Sequence, residues 1–230
     1  MIITIDGPAG TGKTTVARQL AEELGFTYFD TGAMYRSITY GIIKYGITPD
    51  DPVALQAFLD KYPVTIKRHL GEKSFYLGDE NVTNKIRSRE VTLLVSKISA
   101  IKAVRDKLVT TQRELVKGIN AVVEGRDMGT GVFPYAEVKV YLDADARVRA
   151  ERRYKELLVK DPNAAASQTL ESVLEDIIKR DKYDASRDLS PMKPAENATI
   201  IDTSNLTPEE VVNQIVVLKE RFEMKPLTTS

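Results

Sequence analysis

The sequence predicts an α/β fold, a five-stranded parallel sheet flanked by helices with an antiparallel β insertion. Three observations carry this. Residues 2–24 run strand, glycine-rich loop, helix. Further short apolar runs rich in β-branched and aromatic residues, at 26–30, 119–124, 138–142 and 199–202, alternate with stretches of helical apolar spacing, the pattern of a parallel sheet built by helical crossovers. Between them, residues 63–82 change character and read as hairpin strands. A chain of 230 residues can bury a substantial core and fits one domain with a sizeable insertion.

Ile2-Ile3-Thr4-Ile5-Asp6 is the first strand. Gly7-Pro8-Ala9-Gly10-Thr11-Gly12-Lys13-Thr14-Thr15 follows it and fits GxxxxGK[ST] at every fixed position. Such a loop turns successive N–H groups inward onto a polyphosphate at a helix N-terminus. Lys13 would reach the β and γ phosphates of ATP, and the Thr14 hydroxyl would hold Mg²⁺. Val16, Ala17, Leu20, Ala21 and Leu24 then recur at helical spacing until Gly25, a stop.

Phe26 to Asp30 is the second strand, closing a right-handed strand, helix, strand unit. Thr31 to Arg36 is a turn opening a helix through about Tyr45, and Tyr35 and Arg36 are placed to meet a second ligand beyond the strand ends. Gly46 to Pro52 is a loop, followed by a short helix through Leu59 and Tyr62. VTIKRHL and KSFYLG are expected to pair about Gly71-Glu72, with Gly78 to Asn81 a second turn. His69, the single histidine, reads as a solvated hairpin position.

Thr83 to Gly118 is helical, with Val91, Leu94, Val95, Ile98, Val104, Leu108 and Leu115 as apolar stripes. On spacing alone Ser96 and Arg105 are polar-face residues. The strand at 119–124 ends on Glu124 and runs into a glycine-rich loop, Gly125 to Gly131, carrying Arg126 and Asp127. Ala146 to Leu158 is a basic helix bearing Arg147, Arg149, Arg152 and Arg153. A small, polar stretch at 160–168 joins it to a second helix from Thr169, whose Leu170, Val173, Leu174, Ile177 and Ile178 line one side. The pair reads as a lid that would carry cations onto bound phosphates. Arg180, Asp184 and Arg187 share a face if that helix persists to 187. After the last strand, Thr207, Pro208 and Glu210 form a capping box ahead of a stripe at Val211, Ile215, Leu218 and Phe222.

Composition narrows the function. Lys plus Arg and Asp plus Glu are 33 each, so no global field recruits nucleic acid or an anionic membrane. The absence of cysteine excludes thiol catalysis and thiolate metal sites. With no apolar run of membrane-spanning length and no basic leader, a cytoplasmic enzyme is expected.

The phosphate loop alone leaves a GTPase, a motor ATPase and a small-molecule kinase open. Asn84-Lys85-Ile86-Arg87 lacks the aspartate of a guanine-reading NKxD, and Glu124 is a weaker match to the strand-end Asp of a motor. The arginines at 36, 126, 152, 153, 180 and 187 exceed what one ATP needs and suggest two phosphate-bearing substrates.

Six strings in order, IDGPAGTGKTTVARQLAEELGF (5–26), DTGAMYRS (30–37), EGRDMGTGVFP (124–134), RRY (152–154), RDKYDASRDLSPMKPA (180–195) and IDTSNLTPEEVV (201–212), resemble the bacterial cytidylate kinases. The resemblance implies the P-loop nucleoside monophosphate kinase fold. Its core would be about 1–35, 86–145 and 188–230, its monophosphate-binding region with the insertion about 36–100, and its lid about 146–185. It implies transfer of the γ-phosphoryl group of ATP to CMP or dCMP with Mg²⁺, by a monomer. It implies that Ser96, Arg105 and Asp127 read cytosine, that Thr31, Arg180 and Asp184 contact the sugar, and that Arg36, Arg126 and Arg187 hold the monophosphate. Lys13, Arg126, Arg152, Arg153 and Arg187 would stabilise the transferring group. Thr31 stands where serine is common in the family and Gly131 where valine is common; the first keeps the hydroxyl but adds a methyl near the sugar, which bears on ribose against deoxyribose preference. A UMP or AMP kinase on the same scaffold and a non-catalytic ATP-binding protein are the rival readings.

Overall fold

The structure, a computed structural model, describes residues 1–69, 72–160 and 168–224; at 68, 69, 72 and 160 the description is of backbone only. The joint of the hairpin, the side chain of His69 and residues 161–167 of the expected lid loop lie outside what is described.

The chain divides into two compact units, residues 30–115 and the remainder. The remainder carries most of a five-stranded parallel sheet. Its strands are β1 (Ile2–Asp6), β2 (Thr27–Asp30), whose last residue begins the other unit, β6 (Ala121–Glu124), β7 (Val138–Asp143) and β8 (Thr199–Asp202), in spatial order β2-β6-β1-β7-β8. β1 is central, paired parallel with β6 (Ile3 opposite Val122) and with β7 (Ile5 opposite Val140). The period of two along β1 sends Ile3 and Ile5 to one face, where they join Val140, Leu142 and Val122 against α1 (Lys13–Leu24) and α8 (Pro208–Glu223). Thr4 and Asp6 alternate with them and meet the turn after β6.

Helix ends follow the sequence. Gly25, at φ 63°, closes α1, and the Thr207 hydroxyl accepts from Glu210 N while Glu210 returns a carboxylate to Thr207 N. The apolar stripe of α8 fades sooner than the pattern suggests. Val211, Val212 and Ile215 are buried, but Phe222 is exposed, because this 16-residue helix outruns the 12-residue α1 it packs against. The basic helix α6 (Ala146–Lys160) pairs with α7 (Leu170–Ala185) through Ala150, Val173 and Ile177, and Ile178 faces outward instead.

The other unit has its own core. A three-stranded antiparallel sheet, β3 (Val64–His69), β4 (Glu72–Leu77) and β5 (Glu80–Asn81), packs with α2 (Thr31–Lys44), α3 (Pro52–Lys61), α4 (Arg89–Ile98) and α5 (Lys102–Leu115). A Cβ at Gly41 would lie 2.4 Å from Leu77 Cδ2 and 2.6 Å from Phe58 Cζ, so the close approach of α2 to β4 and α3 depends on that glycine.

Four local expectations are corrected. Thr31 is the first residue of α2 rather than part of a turn, because the Asp30 carboxylate caps the helix by accepting from Ala33 N. Glu80 and Asn81 are a third strand rather than only a turn. Residues 83–87 are turns ahead of α4, on which Leu94 is exposed. The glycine-rich loop contains a π-helical turn at Met128–Val132, in which Val132 N donates to Asp127 O and Phe133 N to Met128 O.

Candidate active site

The phosphate loop is shaped by close approach. Gly7, at φ 139°, has no room for a Cβ, which would fall 2.0 Å from Leu142 O, and Gly10, at φ 83°, lies against the backbone of Arg149. Gly12 is the N-cap of α1 and no side chain caps that helix, leaving its first turn suited to an anion. The Lys13 ammonium is buried and donates to Pro8 O and, at 3.3 Å, to Thr11 Oγ1. Its pKa is held well below the usual lysine range, first by burial and then by the Arg126 charge, with Glu124 acting in the opposite sense.

Glu124, at the end of β6, is buried and takes both neighbouring hydroxyls: Thr14 Oγ1 donates to its Oε2 at 3.0 Å, and Tyr28 Oη donates to its Oε1. A hydroxyl and a carboxylate side by side at a phosphate loop are hard oxygen donors suited to Mg²⁺. Among the described residues no cluster of three His, Cys, Asp or Glu could hold a metal.

Asp184 gathers three cations. Its carboxylate, 1% exposed, lies 3.6 Å from Arg126 Nε and 3.8 Å from Arg180 Nε, and accepts from Arg187 Nη2. Helix α7 ends at Ala185, so Arg187 is beyond it and reaches Asp184 from the following turn. Arg126 pairs with this distant aspartate, while Asp127 is buried at the start of the π-helical turn.

The expected lid arginines divide. Arg152 donates to Thr203 Oγ1 at 3.2 Å and to Thr203 O at 2.6 Å, and Arg153 pairs with Glu156 on its own helix. Arg149, which spacing did not single out, is buried and donates to Ala144 O at 2.9 Å, to Ala9 O of the phosphate loop at 3.2 Å and to Asp181 at 2.5 Å. Asp6 went similarly unselected, and only its position at a strand end could have marked it; Glu124, noted for just that position, gains its partners only in the fold.

In the other unit, Thr31 and Tyr35 are buried on α2. Arg36 donates to Thr92 Oγ1 at 2.8 Å and to Ile86 O at 3.3 Å. Arg105 is not the solvated residue that helical spacing predicts: it is 6% exposed, donates to Ser99 O, and sits 5.8 Å from the centroid of Tyr35. Ser96, half-buried on α4, has a buried hydroxyl, and its carbonyl accepts from Ser99 Oγ.

A family model described as Cytidylate kinase matches residues 3–221. The chain is 52% identical over 225 residues to a cytidylate kinase of Protochlamydia amoebophila, covering 98% of this chain and 99% of that one. It is 43% identical to a cytidylate kinase of Halalkalibacterium halodurans, covering 96% and 98%. Among solved structures it resembles a shikimate kinase from Bacteroides thetaiotaomicron, with a TM-score of 0.51 at 13% identity over 96% of this chain and 98% of that one, a likeness of fold alone. The chain therefore belongs to the cytidylate kinase family.

Proposed function

We propose that this protein transfers the γ-phosphoryl group of ATP to CMP or dCMP, yielding CDP or dCDP and ADP, in pyrimidine nucleotide metabolism in the cytoplasm, as a monomer. What supports this reading beyond family membership is the gathering of cations around the phosphate loop: the Arg126 and Arg180 charges are felt by Lys13, and both arginines share Asp184 with Arg187. Among the described residues no helix is long and apolar enough to cross a membrane.

The attacking oxygen of a nucleoside monophosphate is already anionic near neutral pH, so the protein needs no dedicated base. Its work is positioning and neutralisation of charge. The backbone N–H groups of the loop from Gly7 to Thr15, Pro8 excepted, and the Lys13 ammonium orient the donor phosphates. Thr14 and Glu124 would hold Mg²⁺, which when bound neutralises charge on the donor oxygens. Arg36, Arg126 and Arg187 are assigned the acceptor phosphate by the family resemblance. Thr31, Arg180 and Asp184 meet the sugar, beside Tyr35. Asp127 accepts from the exocyclic amine of cytosine, while Ser96 and Arg105 donate to its O2/N3 edge. Uracil would set a carbonyl against Asp127, a repulsive contact that discriminates. Arg153, with Arg152 beside it, belongs to a lid of about 146–185 that covers the transferring group and excludes water.

A coupled ADP-release assay across CMP, dCMP, UMP, AMP and GMP tests the reading. Rapid turnover confined to CMP and dCMP is expected, and equal turnover with AMP or GMP overturns it. Asp127→Ala should relax base choice with ATP binding retained.

A further inference from the structure

Arg126 and Asp127 are adjacent residues that must aim in different directions, one proposed for a phosphate and one for a base edge. The backbone holds this dipeptide at both ends, and both hooks belong to the last two residues of β1. On the near side Gly125 N donates to Ile5 O at 3.0 Å. On the far side Met128 N donates to Asp6 Oδ1 at 2.8 Å and Gly129 N to Asp6 Oδ2 at 2.7 Å. We propose that Asp6 is a positioning residue for acceptor binding: its carboxylate fixes the aim of Arg126 and Asp127, and through them affinity for the monophosphate and choice of base. This rests on the assignment of those two residues to the acceptor.

Only a short side chain with two acceptor oxygens can take both N–H groups. Asparagine at this position would keep one acceptor and turn an NH₂ against the other N–H. An apolar residue would orphan both donors in a buried place. The turn lies so close to the strand that a Cβ on Gly129 would sit 3.1 Å from Thr4 Oγ1 and 3.4 Å from Asp6 Oδ2, so the hook tolerates no spacer. Asp6 is 4% exposed, and a carboxylate buried this deeply is costly unless its oxygens are used, as both are here.

The charged and titratable groups facing Asp6 are Lys13 from the start of α1, Asp127 from the turn and Tyr141 opposite it on β7. Burial, with a smaller push from Asp127, raises its pKa from 3.8 to about 6 against the pull of the two N–H bonds and Lys13. Protonation converts one acceptor oxygen into a hydroxyl and weakens the hook.

The test uses the full chain carrying Asp6→Asn. The expected result is a fall of about tenfold in kcat/KM for CMP, mostly in KM, the scale of a lost buried hydrogen bond to a charged group. The CMP over UMP preference should narrow, and the affinity for a fluorescent ATP analogue, titrated without CMP, should stay within about twofold. The acceptor phosphate titrates at about pH 6 with both proteins, so kcat/KM for CMP should fall more steeply toward acid in the unsubstituted protein than in the variant. Wild-type KM, base preference and pH profile in the variant would overturn the proposal. Should Asp6→Asn fail to fold, Gly129→Ala presses on the same contact from the turn side and must raise KM for CMP, an unchanged KM again overturning the idea. Asp127→Ala run in parallel separates the two levels. Unchanged base choice there overturns the reading of Asp127, whereas base choice lost there but kept in Asp6→Asn overturns only the role of Asp6.

Discussion

Arg126 Nε and Arg180 Nε approach the same oxygen of Asp184, at 3.6 and 3.8 Å, while Arg187 occupies the other oxygen. One buried anion thus organises three cations from the turn after β6, from α7 and from the chain beyond it. Removing it leaves like charges with nothing between them. Asp184→Ala is expected to lower unfolding stability by about 3 kcal/mol and kcat/KM for CMP by about a hundredfold. Urea unfolding and the ADP-release assay measure the two losses, and added CMP should restore part of the first, because it binds the folded state. An unfolding midpoint indifferent to the substitution would refute this.

Lys13 is the single ammonium buried within the phosphate loop, already folded onto Pro8 O and Thr11 Oγ1. Lys13→Met is expected to cut kcat by about 10² to 10³, the range for deleting one preorganised charge stabiliser. Because the replacement keeps the stem and drops a buried charge near Arg126, thermal stability should not fall. Steady-state kinetics with a melting curve checks both halves.

Arg149 ties the phosphate loop to α6 and α7, through Ala9 O, Ala144 O and Asp181. Arg149→Met strands two carbonyls and a carboxylate. We expect KM for ATP to rise about tenfold and stability to drop by about 2 to 3 kcal/mol. The CMP over UMP ratio should not change. A CMP-specific defect instead would show that the residue serves the acceptor.

Glu80 joins Lys44 on α2 and Lys85 ahead of α4, each at 2.6 Å, and those two hydrogen bonds hold its pKa at about 2 against an ordinary 4.5. The folded state therefore binds this proton less readily than the unfolded chain. The stabilisation is fully present above about pH 4.5 and is lost as pH falls toward 2. At neutral pH Glu80→Gln should cost on the order of 1 kcal/mol, since the pair is partly exposed. The gap between variant and unsubstituted chain should close in acid, read from urea unfolding at stepped pH.

The order of strands and helices and the phosphate loop were legible because each is signalled by residues close together in sequence: the β-branched run at 2–6, the glycines at 7, 10 and 12, the capping box at 207–210. The contacts of three polar residues were not, because their partners are remote. Asp6 binds N–H groups 122 and 123 residues away, Glu124 a hydroxyl 110 residues away, and Arg149 a carbonyl 140 residues away. Arg105 shows a different limit. Helical spacing identifies which side of a helix is apolar, but not whether a polar residue among those side chains finds a carbonyl and an aromatic ring to satisfy it. The π-helical turn was hidden for a third reason, since its glycines read equally well as an open loop.

The hydroxyl of Thr203 stands at a crossing. It donates toward Thr11 O of the phosphate loop and Asp143 O of β7, and receives a hydrogen bond from Arg152 of α6. The first two turns of α6 are thus tied to the phosphate loop through Arg149 and to the segment after β8 through Arg152. Loss of that one hydroxyl would therefore loosen three segments at once: the phosphate loop, the end of β7 and the second turn of α6.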